Sequence, residues 1–216
     1  MNTDVIKTLD LFFQQFKIQK YKRHQLLINA GEEPAGLFYL KEGVVRQYAI
    51  SANGEELTIN TFKSGSFFPL AWIVNDDKGS HYFEAASPAS LRVAPKAEAL
   101  NFLKNHPEIL WDLVKRIYKG LDGYFMRMEH LMLGSARSRL VAELLIYARR
   151  FGQSEGGAIR VNLKLTEKDL AAQSGITRET VSREIQKLKQ KKLISFSKST
   201  LVINNIDQLE DVMEIT

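Results

Sequence analysis

The stretch from Leu165 to Ser195, LTEKDLAAQSGITRETVSREIQKLKQKKLIS, constrains the fold more than any other part of this chain. Thr166 and Asp169 place a hydroxyl at N-cap and a carboxylate at N3, a pair that satisfies two orphan amides reciprocally. Leu170 and Ala171 then face inward. Gly175 breaks the first helix and supplies the tight turn of a helix-turn-helix. Thr177 caps a second helix, on which Val181, Ile185 and Leu188 recur at spacings of four and three as one buried stripe. The opposite face carries Arg178, Glu179, Ser182 and Arg183. A helix laid in the major groove reaches base edges with its N-terminal residues. Arginine grips guanine O6 and N7 with two bonds, and glutamate accepts from cytosine N4. Hydroxyls such as those of Thr166, Thr177 and Thr180 suit phosphate oxygens.

Charge points the same way. Arg160 to Thr200 holds ten Lys/Arg and four Asp/Glu, while the whole chain carries a net charge of +5. The rest of the chain is therefore nearly balanced, and the basic excess sits where phosphate must be neutralised. A merely solvated helix hairpin would account for solubility but not for that asymmetry.

With 216 residues, 44% of them hydrophobic, the chain is long enough for one large or two smaller domains with proper cores. The longest apolar run, Phe67 to Val74, is too short to span a bilayer. MNTDVIKTLD shows no basic region ahead of a hydrophobic stretch, so a soluble cytoplasmic protein is expected, without a membrane partner. The absence of cysteine excludes disulfides, thiolate nucleophiles and cysteine-held zinc or iron–sulfur sites.

Residues 1 to about 20 read as a short helix with Leu9, Phe12, Phe13 and Phe16 on its apolar face. From Gln25 to Ala94 short strands alternate with turns at intervals of roughly ten residues, the spacing of an all-β sandwich or barrel. Asn53-Gly54 is a two-residue hairpin signal, flanked by strands Leu37 to Leu40, Val44 to Ile50 and Leu57 to Phe62. Helical periodicity returns near Pro95 and dominates from His106. Leu110, Val114, Ile117, Leu121, Tyr124, Met128 and Leu131 follow intervals of 4, 3, 4, 3, 4 and 3, a heptad seam that predicts a two-helix dimer. A second set, Leu113, Tyr118, Phe125 and Met132, is available to face the β-domain. Gly120 and Gly123 interrupt this helix, for close approach of a ligand or partner or simply for tight packing. Gly134-Ser135 reads as a hinge, Arg137 to Phe151 as an amphipathic helix, Gly152 to Gly157 as a flexible turn and Ala158 to Leu163 as a strand. Leu193 to Phe196 and Leu201 to Ile203 flank SKST as a wing, with Lys198 placed to touch phosphate. Ile206 to Met213 closes the chain as a helix.

In this order of elements, and most specifically in LTEKDLAAQSGITRETVSREIQKL, the sequence resembles the CRP/FNR family of bacterial transcription regulators. GEEPAGLFYLKEGVVRQYAI and the NGEEL turn look like that family's effector-domain β-roll. The resemblance covers nearly the whole chain. It implies an α+β fold: an antiparallel, cyclic-nucleotide-binding-like β-roll over 1–105, a dimerisation helix and hinge over 106–134, and a winged helix-turn-helix over 135–216. It implies a homodimer on double-stranded DNA, base contacts from the positions of Arg178, Glu179 and Arg183, half-sites containing TGA, and RNA polymerase as a partner. Ser182 ahead of Arg183 is similar to the FNR-like branch, which favours TTGA-type half-sites, and Arg178-Glu179 is similar to the cyclic-AMP-receptor branch, which favours TGTGA; the TGA core is what both imply.

The sensor departs from the family pattern. Cyclic-nucleotide members carry Gly-Glu for the ribose and Arg-Ser or Arg-Thr for the phosphate. Here no Gly-Glu follows Gly65, and no arginine stands between Lys63 and Arg92. A buried phosphate without a guanidinium partner is poorly compensated. Phe67, Phe68, Trp72, Tyr82 and Phe83 suggest an apolar lining or simply core, and Phe68, Trp72, His81, Tyr82, Gly120 and Gly123 are the candidate pocket for an unknown small-molecule effector. The reading is a regulator not controlled by a cyclic nucleotide; a cyclic-nucleotide-responsive member with an atypical pocket is the alternative. An enzyme is not expected, because His81 and Glu84 have no nucleophile, metal triad or phosphate loop beside them. No cofactor or metal is expected either, since His24, His81, His106 and His130 lack a supporting motif for haem.

Overall fold

A computed structural model describes residues 3–197 and 200–213 of the chain. The chain divides into two compact units, Met1–Ile117 and Tyr118–Thr216, and one long helix contributes to both.

The first unit opens with α1 (Thr3–Phe13), followed by β1 (Ile18–Tyr21), β2 (Leu26–Ile28), β3 (Leu37–Glu42), β4 (Val44–Ile50), β5 (Glu56–Lys63) and β6 (Phe67–Phe68). After α2 (Leu70–Asn75) come β7 (Tyr82–Ala85), β8 (Ala89–Ala94), α3 (Lys96–Asn105) and the start of α4 (Pro107–Leu133). The strands form two antiparallel sheets, ordered β1-β8-β3-β6 and β2-β7-β4-β5. The run Leu37-Phe38-Tyr39-Leu40 is apolar at every position because both faces of β3 are covered. Phe38 and Leu40 meet Phe68, Leu91, Val45, Phe83 and Ala85 in the core shared by the two sheets. Leu37 and Tyr39 point the other way, onto Leu9 and Phe13 of α1, Trp72 of α2 and Phe102 of α3. Each such side chain, fully buried, contributes about 1.5–3 kcal/mol.

Three expectations change here. α1 ends at Phe13 rather than near residue 20, because Ile18–Tyr21 pairs with β8 in the register Ile18↔Arg92 to Tyr21↔Ala89. The β4–β5 connection is longer than a two-residue hairpin. Ser51 N–H donates to Glu55 O at 2.8 Å, and Gly54 alone of the Asn53-Gly54 pair takes a positive φ, of 80°. The apolar run after β6 contains a short helix, α2, which starts behind Pro69 and stops where Asp76 turns left-handed at φ 58°.

The second unit takes the rest of α4 and continues with α5 (Ala136–Phe151), β9 (Gly152–Glu155), β10 (Ala158–Lys164), α6 (Glu167–Ser174) and α7 (Arg178–Gln190). It ends with β11 (Ile194–Ser197), β12 (Thr200–Ile203) and α8 (Ile206–Glu210). Its sheet runs β11-β12-β10-β9. α5 is not amphipathic in its middle: Leu140 to Ala148 are buried without interruption. The helix is the pillar of a core that includes Leu144, Val161, Leu170, Val181, Ile185, Leu201 and Leu209. The segment expected as a flexible turn is half strand. Gly152–Glu155 pairs back onto β10, and only Gly156 and Gly157, both at positive φ, make the bend. α8 stops at Glu210, shorter than expected.

α4 carries the predicted heptad, and most of it reaches solvent in the single chain. Leu110, Val114, Ile117, Tyr124 and Met128 are exposed, and Leu121 and Leu131 are half-buried. Of the second set, Leu113 packs against the core of the first unit. Tyr118, Phe125 and Met132 are more than half exposed. Ser135 caps α5 by accepting from Ser138 N–H at 3.3 Å.

Candidate nucleic-acid interface

The local chemistry of α6 and α7 sets the geometry of the reading face. Thr166 Oγ1 accepts from Asp169 N–H at 3.1 Å, and Asp169 Oδ2 accepts from Thr166 N–H at 2.9 Å. This reciprocal capping box starts α6. Gly175, at φ 62° and ψ 35°, ends it, and its N–H donates to Ala171 O at 3.1 Å. A side chain other than hydrogen is strained in that region, so the turn needs this residue. Thr177 Oγ1 accepts from Thr180 N–H at 3.2 Å and starts α7. Val181, Ile185 and Leu188 are buried, which rotates Arg178, Glu179 and Arg183 to the exposed side of the same helix.

The exposed groups are pre-ordered. The Arg178 guanidinium lies 3.7 Å from Glu167 Oε2, and Arg183 Nη2 donates to Thr180 Oγ1 at 3.3 Å. The Glu179 carboxyl is held below its ordinary range by backbone and Thr177 hydrogen bonds, helped by Arg178 and Arg183. It stands ionised as an acceptor. Ser182 is half-buried, one step from Arg183. The hydroxyls of Thr166 and Thr177 are engaged in caps. Lys198 lies outside the described residues. Lys187 is tied to Glu184 at 2.6 Å, and Glu184 also accepts from Arg137 of α5 at 3.0 Å.

The candidate effector residues are divided between the two units, and those of the first unit lie in different surroundings. Phe68 stacks with Phe38 and Phe83, centroids 5.7 and 5.3 Å away, and is sealed in the inter-sheet core. Trp72 sits in the other core, with Lys96 Nζ 4.7 Å over its ring. Both side chains are taken up by core packing. Tyr82 is half-buried and stacks on Tyr48 at 5.3 Å, and His81 is half-buried beside it. Gly120 and Gly123 belong to the second unit and have open space where a side chain would stand. The guanidinium groups of the first unit already have acceptors at three positions. Arg46 holds Glu84 at 3.2 Å and Glu56 at 2.8 Å over the Tyr48 ring. Arg92 donates to Gln14 O at 2.8 Å, and Arg116 pairs with Asp112 at 2.9 Å and donates to Gly65 O at 3.3 Å.

Sequence reading missed a buried polar group in the second unit. Arg127 of α4 makes two parallel bonds to Glu143 of α5, which is 1% exposed; Nη2 to Oε2 is 2.8 Å. Tyr147 accepts from Gln173 Nε2 of α6, also buried. A glutamate inside the run VAELLIYA was the available signal.

The matches to known proteins follow the same division. Residues 18–106 match the cyclic nucleotide-binding domain, and residues 138–212 match the Crp-like helix-turn-helix domain. The global nitrogen regulator of Nostoc sp. is 27% identical over 87% of this chain and 85% of its own length. The chain belongs to the CRP/FNR family. The cAMP-activated global transcriptional regulator CRP of Pasteurella multocida is 25% identical over 91% of this chain and 94% of its own. Among solved structures, a transcriptional regulator of the CRP/FNR family from Thermus thermophilus superposes with a TM-score of 0.70 at 25% identity, covering 90% and 97% of the two chains. A CooA variant from Carboxydothermus hydrogenoformans has the same fold, with a TM-score of 0.77 at 21% identity over 97% and 89%. This CRP/FNR member is accordingly a DNA-binding transcription regulator. No helix among its described residues is long and apolar enough to cross a membrane, and no described group of three or more His, Asp and Glu is placed to hold a metal ion.

Proposed function

We propose that this regulator works as a homodimer that reads a pseudo-palindrome with TGA-containing half-sites in the cytoplasm, and that it is not controlled by a cyclic nucleotide. The observation that carries the DNA reading is the exposed trio Arg178, Glu179 and Arg183 at the capped start of α7, directly above a fully buried stripe. Arg183 and Arg178 take guanine, Glu179 takes cytosine, and Ser182, Thr166, Thr177, Thr180 and Lys198 complete the base and backbone contacts. The exposed heptad of α4 is the dimer seam, and two reading heads then lie roughly 34 Å apart along the duplex. The division of labour is a sensing β-roll over 1–105, a dimerisation helix over 106–134 and a reading domain over 135–216. RNA polymerase is the partner downstream, and no catalytic role is assigned.

The sensor reading rests on the arginines. Arg46 and Arg92 are engaged by protein acceptors, and Arg116 is held by Asp112 and Gly65 O although its Nη2 makes no hydrogen bond among the described residues, so the first two are not offered to a phosphate. Gel-shift titration against a TGA(N)TCA-type palindrome, its base-substituted forms and a single half-site tests the proposal. Tight binding to the palindrome alone is the expected result. Equal affinity for all sequences overturns the base-reading assignment, and equal affinity for one half-site overturns the dimer.

A further inference from the structure

The exposed side of α4 leaves its C-terminal half with few apolar anchors on the reading head. Phe125, Met128, Met132 and Leu133 are exposed, and Tyr124 is only partly covered. Three residues turn inward. His130 is buried, Leu131 reaches the turn between α6 and α7, where a Cβ on Gly175 would stand 3.4 Å from its Cδ2, and Arg127 pairs with Glu143. Apolar contact is non-directional, so Leu131 and His130 permit sliding and rolling. A bidentate guanidinium–carboxylate pair is planar and directional, and so fixes one angle.

The pair is also connected onward. Glu143 lies one turn before Tyr147 on α5, and Tyr147 accepts from Gln173 on α6, the helix that packs against α7. On the other side of α5, Arg137 donates to Glu184 of α7 at 3.0 Å. Separate side-chain bonds therefore tie α5 to α4, to α6 and to α7.

We propose that Arg127 and Glu143 are positioning residues that set the angle between α4 and the recognition helix α7, and thereby the spacing of half-sites the regulator accepts. The angular part stands on the single chain; the consequence for spacing rests on the dimer proposed above. A buried ion pair is a poor stabiliser compared with apolar groups of similar size, and its best-attested use is to specify one arrangement among several. Replacing both partners together, Arg127→Met with Glu143→Leu, removes the directional bonds and leaves the cluster's net charge unchanged.

The absence of cysteine makes the test direct. Spin labels on cysteines introduced at the exposed positions Glu129 on α4 and Gln186 on α7 report the angle within one chain, with labelled protein diluted into unlabelled. The parent protein is expected to give one narrow distance peak. The double apolar variant is expected to keep its helical content while the peak broadens or splits. In gel shifts it should lose the parent's preference for one spacer length over spacers one base pair longer or shorter. An unchanged narrow peak in the folded variant overturns the proposal. Should the double variant fail to fold, Arg127→Lys keeps the charge but loses the parallel bonds, and the same broadening is required of it. If the peak broadens while the parent shows no spacing preference, the positioning role stands and the dimer reading is what fails.

Discussion

Arginine serves opposite ends in two places, the first unit and the exposed side of α7. In the first, Arg46, Arg92 and Arg116 are folded into the protein's own acceptors, and burial pulls the Arg116 guanidinium down against the upward pull of Asp112. In the second, Arg178 and Arg183 are carried by α7 into solvent, with only weak restraint from Glu167 and Thr180. The same side chain is scaffold in the first place, as it is at Arg127 and Arg137 of the second unit, and lies open to solvent in the other. What separates them is the helix stripe. Val181, Ile185 and Leu188 use up the apolar side of α7 and force its charges outward, whereas pleated strands bring Arg46 and Glu84 side by side on one sheet face. An interaction surface for a polyanion and a self-satisfied sheet can therefore share one composition.

The largest expected effect tests the helix that contributes to both units. Leu121→Glu puts two carboxylates opposite each other in the proposed apolar seam. That should cost on the order of 3–5 kcal/mol of dimer stability, as for an uncompensated buried charge. Sedimentation should show a monomer, and palindrome binding should fall to that of a half-site. A dimer of unchanged strength would move the interface away from α4.

Next comes the first unit's ion-pair group. Burial raises the Glu84 carboxyl, but hydrogen bonds from Arg46 and His24 outweigh it, and the net shift is downward. A carboxyl lowered in the folded state adds stability above its ordinary range and loses it as pH falls through the lowered value. Glu84→Gln should remove about 1.5–3 kcal/mol of stability at neutral pH, the range for hydrogen bonds to charged groups, and flatten the acid limb of the melting curve. DNA affinity of the folded protein should not change. A comparable loss in DNA affinity would erase the contrast between the two arginine populations.

Arg183→Ala addresses the other population. Specific binding should weaken by about 1–3 kcal/mol, with relaxed preference at one G·C pair. Uniform weakening across base-substituted sites would reassign Arg183 to phosphate. Smaller still is Thr166→Ala, which removes the hydroxyl half of the capping box and should lower the melting stability of the second unit by about 1 kcal/mol.

The reading head was legible because its rules are local. Thr166 and Asp169 lie three residues apart, Gly175 carries its own conformational demand, and a stripe spaced by four and three has one helical outcome. The strands of the first unit were legible for the same reason of period and turn. What escaped was set by distant partners. Ile18–Tyr21 became a strand because β8 was there to receive it, and Gly152–Glu155 because β10 turned back at Gly156-Gly157. Phe68 and Trp72 looked alike as aromatic candidates, yet they face different cores on account of one strand's alternation and one short helix. Glu143 lay in plain view in an apolar run, but its partner Arg127 is sixteen residues away on another helix.

The smallest expected effect is none, and it tests the sensor. A ligand that binds only the native state stabilises it by mass action, about 2.7 kcal/mol at a hundredfold excess over its dissociation constant. Cyclic AMP would bring an anionic phosphate into the first unit. Arg46 would have to leave Glu84 and Glu56, Arg92 would have to leave two backbone carbonyls near the end of α1, and Arg116, whose Nη2 makes no hydrogen bond among the described residues, is half-buried beside Asp112 and Gly65 O. Each departure leaves an acceptor unpaired, which costs about 1–3 kcal/mol where that acceptor is buried. Millimolar cyclic AMP or cyclic GMP should thus leave both the melting temperature and the palindrome affinity where they were. Differential scanning fluorimetry with a nucleotide panel is the measurement. A saturable rise with cyclic AMP would show that an arginine of the first unit is available to the phosphate, and Arg23→Lys, Arg46→Lys, Arg92→Lys and Arg116→Lys measured in turn would say which. The assignment of Arg178, Glu179 and Arg183 to DNA would survive that result, because the groups that read bases and the groups that would bind a nucleotide share no residue.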